Sequence, residues 1–269
     1  MNSVTTVRRL LALTAVALAL PTQAGALTLP RAQVHVTLES NGVLDVLERV
    51  TVESQISFVG SREISMLRGE LFAAPSVVVD GRAYRVGDAQ RPRTFRVTRG
   101  TRGVRIEWHE PAGNRFVRLG YRLAERPIVY RDVVDLRIAI WEKDWPVSLG
   151  SLTAALHLPR RAPARVRAWV HPESLHATVA TGRRTIQVRA RAVHGEVDLR
   201  AVLPRAVLSS TMGARTVRGI GLPSILAGER AHKGGGTWWI WLLVAVVAAG
   251  AAATGAAFRR GRSPRPSPR

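Results

Sequence analysis

The chain has 269 residues, 40 Lys+Arg against 19 Asp+Glu, a formal net charge of +21 and no cysteine. The missing cysteines exclude disulfides, thiol redox chemistry, thiolate metal sites and a lipidated cysteine. Only Lys143 and Lys233 are lysines, and the arginine excess, beside abundant Ala, Val and Gly, follows the composition of a GC-rich coding sequence. No nucleic-acid partner is expected from it.

The chain begins with the three parts of a secretory signal, which predicts a signal peptide over 1–26. Arg8 and Arg9 form the positive region, Leu10 to Leu20 is an apolar run too short to span a bilayer, and Pro21 breaks it. Ala24-Gly25-Ala26 offers small residues for cleavage after Ala26, with Ala24 as the alternative. The paired arginines also suit the twin-arginine route. Nothing downstream resembles a cofactor site that must fold before export, which favours the general secretory route.

Residues 27–203 have a β texture throughout. Val34, Val36 and Leu38 alternate with polar residues, as a half-buried strand requires. Asn41-Gly42 then predicts a hairpin turn, because both residues tolerate φ > 0, and Val43 to Ile56 is the return strand. A second hairpin is predicted around Asp80-Gly81. Further strands are expected at 94–98, 104–108, 116–123, 133–141 and 149–158, then at 165–170, 175–180, 184–190 and 196–203. Many short strands with regular turn signals argue for an all-β, immunoglobulin-like sandwich. Residues 62–72 read as one short helix or a loop. At about 210 residues the exported part is long enough to bury a core without staples.

Residues 204–236 become rich in Gly, Ser and Arg and read as a flexible stalk. An uncharged run over 237–258 follows, ~33 Å long as a helix and sufficient for a ~30 Å hydrocarbon core. Trp238, Trp239 and Trp241 suit one membrane interface, and Arg259, Arg260 and Arg262 give the positive-inside signal at the other. The expected topology is a single pass through the cell (inner) membrane, with the large domain outside and a basic, disordered tail over 259–269 in the cytoplasm. Gly234-Gly235-Gly236 before the apolar run also resembles a glycine-type sorting signal, in which case the helix would be removed.

Charge is uneven along the exported part. Residues 27–150 hold 19 basic and 15 acidic side chains, whereas 151–236 hold 14 basic and 4 acidic. The second half is suited to lie against anionic headgroups or an anionic envelope polymer.

The densest polar and aromatic cluster is Asp132, Asp135, Trp141, Glu142, Asp144 and Trp145. Paired carboxylates can divide acid and base roles when their environments differ. Arg131, Arg137 and Lys143 lie among them, so cross-strand ion pairs explain the cluster equally well. His171 and His176 flank Glu173, but the spacing is not the i, i+4 of a helical zinc pair and Pro172 opposes a helix. No serine sits in a Gly-x-Ser-x-Gly elbow and no glycine-rich phosphate loop is present. No catalytic residue, metal site or cofactor is therefore predicted.

Three stretches, in order, resemble one known family: Asn41-Gly42-Val43-Leu44-Asp45-Val46-Leu47-Glu48; Arg118-Leu119-Gly120-Tyr121-Arg122-Leu123 with Tyr130-Arg131-Asp132-Val133-Val134-Asp135-Leu136; and Trp145-Pro146-Val147-Ser148 with Leu152 to Pro159. The family is the predicted membrane proteins of domain of unknown function 2207, and the resemblance spans Val34 to Leu203. It implies a signal, a β-rich outer domain and membrane helices after it. Members often continue into further membrane helices, which this sequence lacks, and the family's basic-aromatic motif is degraded around Phe58 to Leu67. The expectation is a membrane-anchored envelope protein whose β domain is a protein-interaction or assembly module. The alternatives are a binder of anionic envelope polymer or lipid headgroups, and an envelope hydrolase using the Asp132–Asp144 cluster. The expected partners are the lipid bilayer and a membrane or envelope protein.

Overall fold

The computed structural model describes residues 27–233, except 102, 144 and 146. The expected signal peptide, Gly234 to Gly236, the membrane run and the tail lie outside the described residues. Among the described residues no helix is long and apolar enough to cross a membrane.

The predicted alternation becomes a mostly β structure with one helix. In chain order the strands are β1 (Thr28–Leu38), β2 (Leu44–Ser54), β3 (Phe58–Ser65), β4 (Leu71–Val79), β5 (Arg82–Ala83) and β6 (Arg85–Val86). They continue with β7 (Thr94–Arg99), β8 (Gly103–Glu110), β9 (Gly113–Ala124), β10 (Ile128–Val129), β11 (Val133–Trp141) and β12 (Leu149–His157). The last are β13 (Arg167–His171), β14 (Thr178–Thr181), β15 (Thr185–Val193), β16 (Val197–Pro204) and β17 (Arg215–Thr216), followed by helix α1 (Leu222–Lys233).

The strands form three sheets. The eight-stranded sheet runs β14-β15-β12-β1-β2-β9-β4-β5, the five-stranded sheet β13-β16-β11-β10-β17, and the four-stranded sheet β3-β8-β7-β6. The inner faces of all three feed one apolar core, with Val34, Val46 and Leu119 from the first, Leu136 and Leu199 from the second, and Ile64 and Ile106 from the third. Both predicted hairpins form. In the first, Asn41 Oδ1 accepts the Val43 N–H at 2.9 Å and Gly42 takes φ +94°. A Cβ at Gly42 would also meet the Ala214 Cβ at 2.7 Å, so the turn is packed as well as bent. At the second turn Asp80 and Gly81 both have positive φ, as a tight two-residue connection requires.

Three tryptophans anchor the core. A register shift between Ala139 and Trp141 lets Ile140 and Trp141 both turn inward. Trp141 stacks on Trp145 with ring centroids 5.8 Å apart, and Trp145 meets the edge of Trp108 at 6.1 Å. Gly60 leaves room for this layer, since a Cβ there would lie 2.5 Å from Trp108 Cε2.

Two expectations are corrected. Residues 62–72 are neither helix nor loop alone: the first four complete β3, a short turn follows, and β4 begins at Leu71. Its inward Arg62 obscured the strand alternation. Residues 204–233 are not a free stalk. They return along the domain, with Ser209 and Ser210 N–H donating to Ser40 O and Gly213 N–H to Asn41 O. Val207, Leu208, Ala214 and Ile225 are buried. Isolated apolar residues in a polar, glycine-rich segment are enough to dock it when each fills a gap.

Inside the core, between the eight- and four-stranded sheets, Arg62 Nε and Nη2 donate to Glu48 Oε2 and Oε1 at 2.8 and 3.0 Å. The Tyr121 hydroxyl donates to Glu48 Oε1 at 2.6 Å. Arg62 and Glu48 are 0% and 1% exposed. Burial, and next the Glu48 charge, push the Tyr121 phenol up, so it stays a donor. Arg62→Met should destabilise the domain by about 3–5 kcal/mol, because it strands the Glu48 carboxylate in the core. Arg62→Met with Glu48→Met should recover most of that loss. Denaturant unfolding followed by tryptophan fluorescence measures both, and equal losses in the single and double variants would contradict the assignment.

Glu110 gives a pH prediction. It is fully buried, accepts the Trp108 indole N–H, and burial pushes its pKa up from 4.5 to about 7. The folded chain thus binds more protons than the unfolded chain between those values, so stability falls as pH rises across that window. Burial also raises Glu70 and Glu142, in the same sense. Glu110→Gln should make the decline shallower by ~3 kcal/mol between pH 4.5 and 7. Unfolding free energies measured across that range with an unchanged slope would refute it.

Candidate functional site

The acidic and aromatic residues singled out in the sequence are separated by the fold. Asp132 caps α1, accepting the Gly221 and Leu222 N–H groups at 2.8 and 3.1 Å. Slight burial pushes its pKa up, but these N–H donors outweigh it and hold the carboxyl below its ordinary value. Asp135 lies on the outer face of the five-stranded sheet. Glu142 accepts the Ser65 N–H and hydroxyl, each at 3.2 Å. Trp141 and Trp145 are core residues. Asp144 lies outside the described residues. Each described carboxylate is thus committed to a different structural partner.

The histidines singled out also have separate places. His171 Nε2 lies 3.2 Å from Glu229 Oε2, and His176 ends the 3-10 turn at 173–175. Among the described residues no group of three or more His, Cys, Asp or Glu is placed to hold a metal ion.

Asp135 belongs to the clamp that docks α1. Arg200 on β16 donates to both Asp135 oxygens at 2.9 and 2.6 Å and reaches Glu229 Oε1 at 2.7 Å. These bonds hold the Arg200 guanidinium well above its ordinary value. Ile225 of the helix joins Val133 and Val202 in a small second core, flanked by Tyr130, Trp169 and Leu222. The helix therefore covers the outer face of the five-stranded sheet.

The opposite side of the domain is different. The inner residues of the eight-stranded sheet enter the core, so the alternate residues face solvent. Strand register places Arg191, Ser151, Arg31, Thr51 and Phe116 in one row across β15, β12, β1, β2 and β9. The next row, across the same strands, is Arg189, Thr153, Gln33, Arg49 and Arg118. All five arginines are exposed, and none makes an ion pair or a side-chain hydrogen bond. Neither row contains a carboxylate. Nearby Asp80 and Glu39 are already paired with Arg115 and Arg122. Phe116 is 65% exposed and helps line a shallow depression of about 260 Å³ with Arg31, Gln33, Arg49 and Arg118. The surface draws on residues both before and after 150, not only on the more basic stretch 151–236.

A histidine pair borders the second row. His35 Nδ1 lies 3.4 Å from His157 Nε2, with the rings 6° from parallel. Register sets His35 between Leu47 on β2 and Ala155 on β12, and Thr37 beside His157. Burial, the His157 ring and the Arg49 charge together lower the His35 pKa.

Residues 28–203 match the family described as predicted membrane protein (DUF2207), N-terminal domain. No curated protein sequence matches the chain. Among solved structures, a putative nutrient-binding protein of Legionella pneumophila is similar at 9% identity and a TM-score of 0.39, over 65% of this chain and 66% of that one. A putative protease of Parabacteroides distasonis gives 8% and 0.38, over 65% and 40%. An M1 zinc metallopeptidase of Deinococcus radiodurans gives 13% and 0.33, over 66% and 42%. The chain spans less than two thirds of the length of each.

The His35 environment makes a prediction of its own. Its midpoint, read from imidazole NMR signals, should fall below 6.5 and rise in Arg49→Gln. Because the unfolded chain then holds the proton more tightly, this group costs stability as pH falls below 6.5 and costs nothing above it. A midpoint at or above the ordinary value would refute the arrangement.

Proposed function

We propose that this chain, which belongs to the DUF2207 family of predicted membrane proteins, works by binding and not by catalysis. In this reading an immunoglobulin-like β-sandwich stands outside the cytoplasm. Residues 237–258 anchor it by a single pass in the inner membrane, and 259–269 lie inside. The domain serves as an interaction or assembly module of the envelope, and its working surface is the outer face of the eight-stranded sheet.

One observation carries this reading: five exposed arginines without partners stand on a rigid sheet, on the side away from α1. A sheet face fixes the spacing of its side chains, as a recognition surface must. The hydrolase alternative has no such support. Asp132, Asp135 and Glu142 hold a helix cap, a helix clamp and a strand terminus, and charging or neutralising them would disturb the fold first.

Photo-crosslinking in intact cells tests the surface. A benzophenone side chain at Phe116 should give a discrete adduct, and one at Met212, which is 87% exposed in the segment that bonds to the Asn41-Gly42 turn beyond the two rows, should not. Arg49→Glu with Arg118→Glu should abolish the Phe116 adduct and the biological effect of the protein together. An effect that survives the charge reversal would overturn the assignment of this face.

A further inference from the structure

We propose that the two arginine rows form a binding site for a linear anionic polymer of the envelope, one bearing a phosphate or carboxylate in each repeat and laid across the strands. The inference rests on the binding reading above and names the ligand class of the same face.

Neighbouring strands stand about 4.8 Å apart, so rows crossing five strands extend for ~19 Å. Arg191 and Arg31 are two strands apart in the first row. Arg189, Arg49 and Arg118 occupy the first, fourth and fifth positions of the second. Ser151, Thr153, Gln33 and Thr51 fill the positions between; the Ser151 hydroxyl donates to Pro30 O at 3.2 Å, and the other three are able to donate to a polymer hydroxyl or anion. A chain crossing the strands meets cations at both ends of the second row and in the middle and at one end of the first, with neutral side chains between. A single small anion could engage only a fraction of this length, and the shallow depression at Phe116 offers no buried cation to hold it.

Arg49 and Arg118 are direct cross-strand neighbours, a like-charge pair that destabilises a sheet. No carboxylate in either row relieves it. A polyanion does so with many guanidinium contacts, each fork able to grip a phosphate or carboxylate with two hydrogen bonds. Phe116, at the end of the first row, supplies an apolar plate for the nonpolar face of a sugar or backbone unit.

A bilayer surface fits less well. Phe116 is the single large, strongly exposed apolar side chain in the two rows, and α1, which runs toward the predicted anchor, lies on the opposite side of the domain. An acidic protein segment seldom holds an anion on every unit, whereas the two rows offer five cations within ~19 Å.

The test uses full-length protein in uncharged detergent with fluorescent long-chain polyphosphate, polygalacturonate, inorganic phosphate, and vesicles with or without phosphatidylglycerol. The expected result is binding of at least one polymer, weakening steeply as salt rises, with little binding of inorganic phosphate. Arg49→Glu with Arg118→Glu should lower polymer affinity on the order of tenfold or more and flatten the salt dependence. Arg105→Glu, on the outer face of the four-stranded sheet, should leave it unchanged. Arg189→Gln with Arg191→Gln should weaken long chains and spare short oligomers that reach only β1, β2 and β9. This conservative pair keeps the test valid if the charge reversal unfolds the domain, which tryptophan fluorescence would reveal.

Equal binding by all variants, or inorganic phosphate competing as well per charge as polymer, would overturn the proposal. Selective binding of phosphatidylglycerol vesicles through the same arginines would overturn the polymer and leave the binding face standing. A Phe116 photo-adduct to a protein, without polymer affinity, would do the same. Loss of both polymer binding and face-dependent adducts would defeat the broader reading as well.

Discussion

The buried contact among Glu48, Arg62 and Tyr121 sets the relation between the four-stranded and eight-stranded sheets. A charge pair in a core forfeits much of its attraction to desolvation, so its net stabilisation is small. Its geometric effect is larger. Arg62 points inward only in the observed register of β3 on β8, and a slip of one residue would turn it to solvent and bring Ser61 or Glu63 toward Glu48. The unpaired Glu48 would then remain in an apolar interior. The ion pair penalises misregistered sheets more than it rewards the right one, and Gly60 against Trp108 imposes the same register sterically.

With the inner faces fixed, the two outer faces diverge. On the five-stranded sheet the cation at Arg200 is neutralised by Asp135 and Glu229, and the surrounding apolar residues are covered by α1. On the eight-stranded sheet the five arginines of the two rows face solvent without counter-charges. One face holds the segment that leads to residues 234–269, and the other is left open to solvent. In the proposed reading this division separates tethering from binding.

Much of the strand order in sequence was legible because alternation survives wherever one face is apolar. Both hairpin turns were legible from Asn41-Gly42 and Asp80-Gly81. The failures share a cause: a charged residue on a buried face. Arg62 broke the pattern of β3. In α1 the inward positions Ile225 and Glu229 include a carboxylate, so the helical stripe read as polar, and its capping residue, Asp132, lies 89 residues away in sequence. The acidic cluster was visible as composition, but its members point to different partners. The arginine rows were invisible for another reason. Each strand showed its own arginine on the solvent side, yet the rows exist only because β1 pairs in parallel with β12, more than a hundred residues away. Sheet order, unlike alternation, is set by tertiary packing.

Composition alone does not account for those rows. An arginine-rich coding bias would spread cations over every exposed surface alike, and each surface would pair them as its acids allow. The four-stranded sheet does this. Arg96 meets Glu107 at 2.7 Å and Arg105 meets Glu63 at 3.0 Å, cation against anion on neighbouring strands. The eight-stranded sheet has strands of similar texture and acids close by, yet Asp80 and Glu39 bond elsewhere, and Asp45 and Glu53, on β2 to either side of the two rows, form no ion pair with the five arginines. Asp80 turns to Arg115 and the Phe116 N–H, and Glu39 to Arg122. Only the middle of the face is left with five like charges. A bias in residue supply explains how many arginines the chain has; the difference between two faces of one domain requires a cause that acts on position, and an anionic ligand is such a cause.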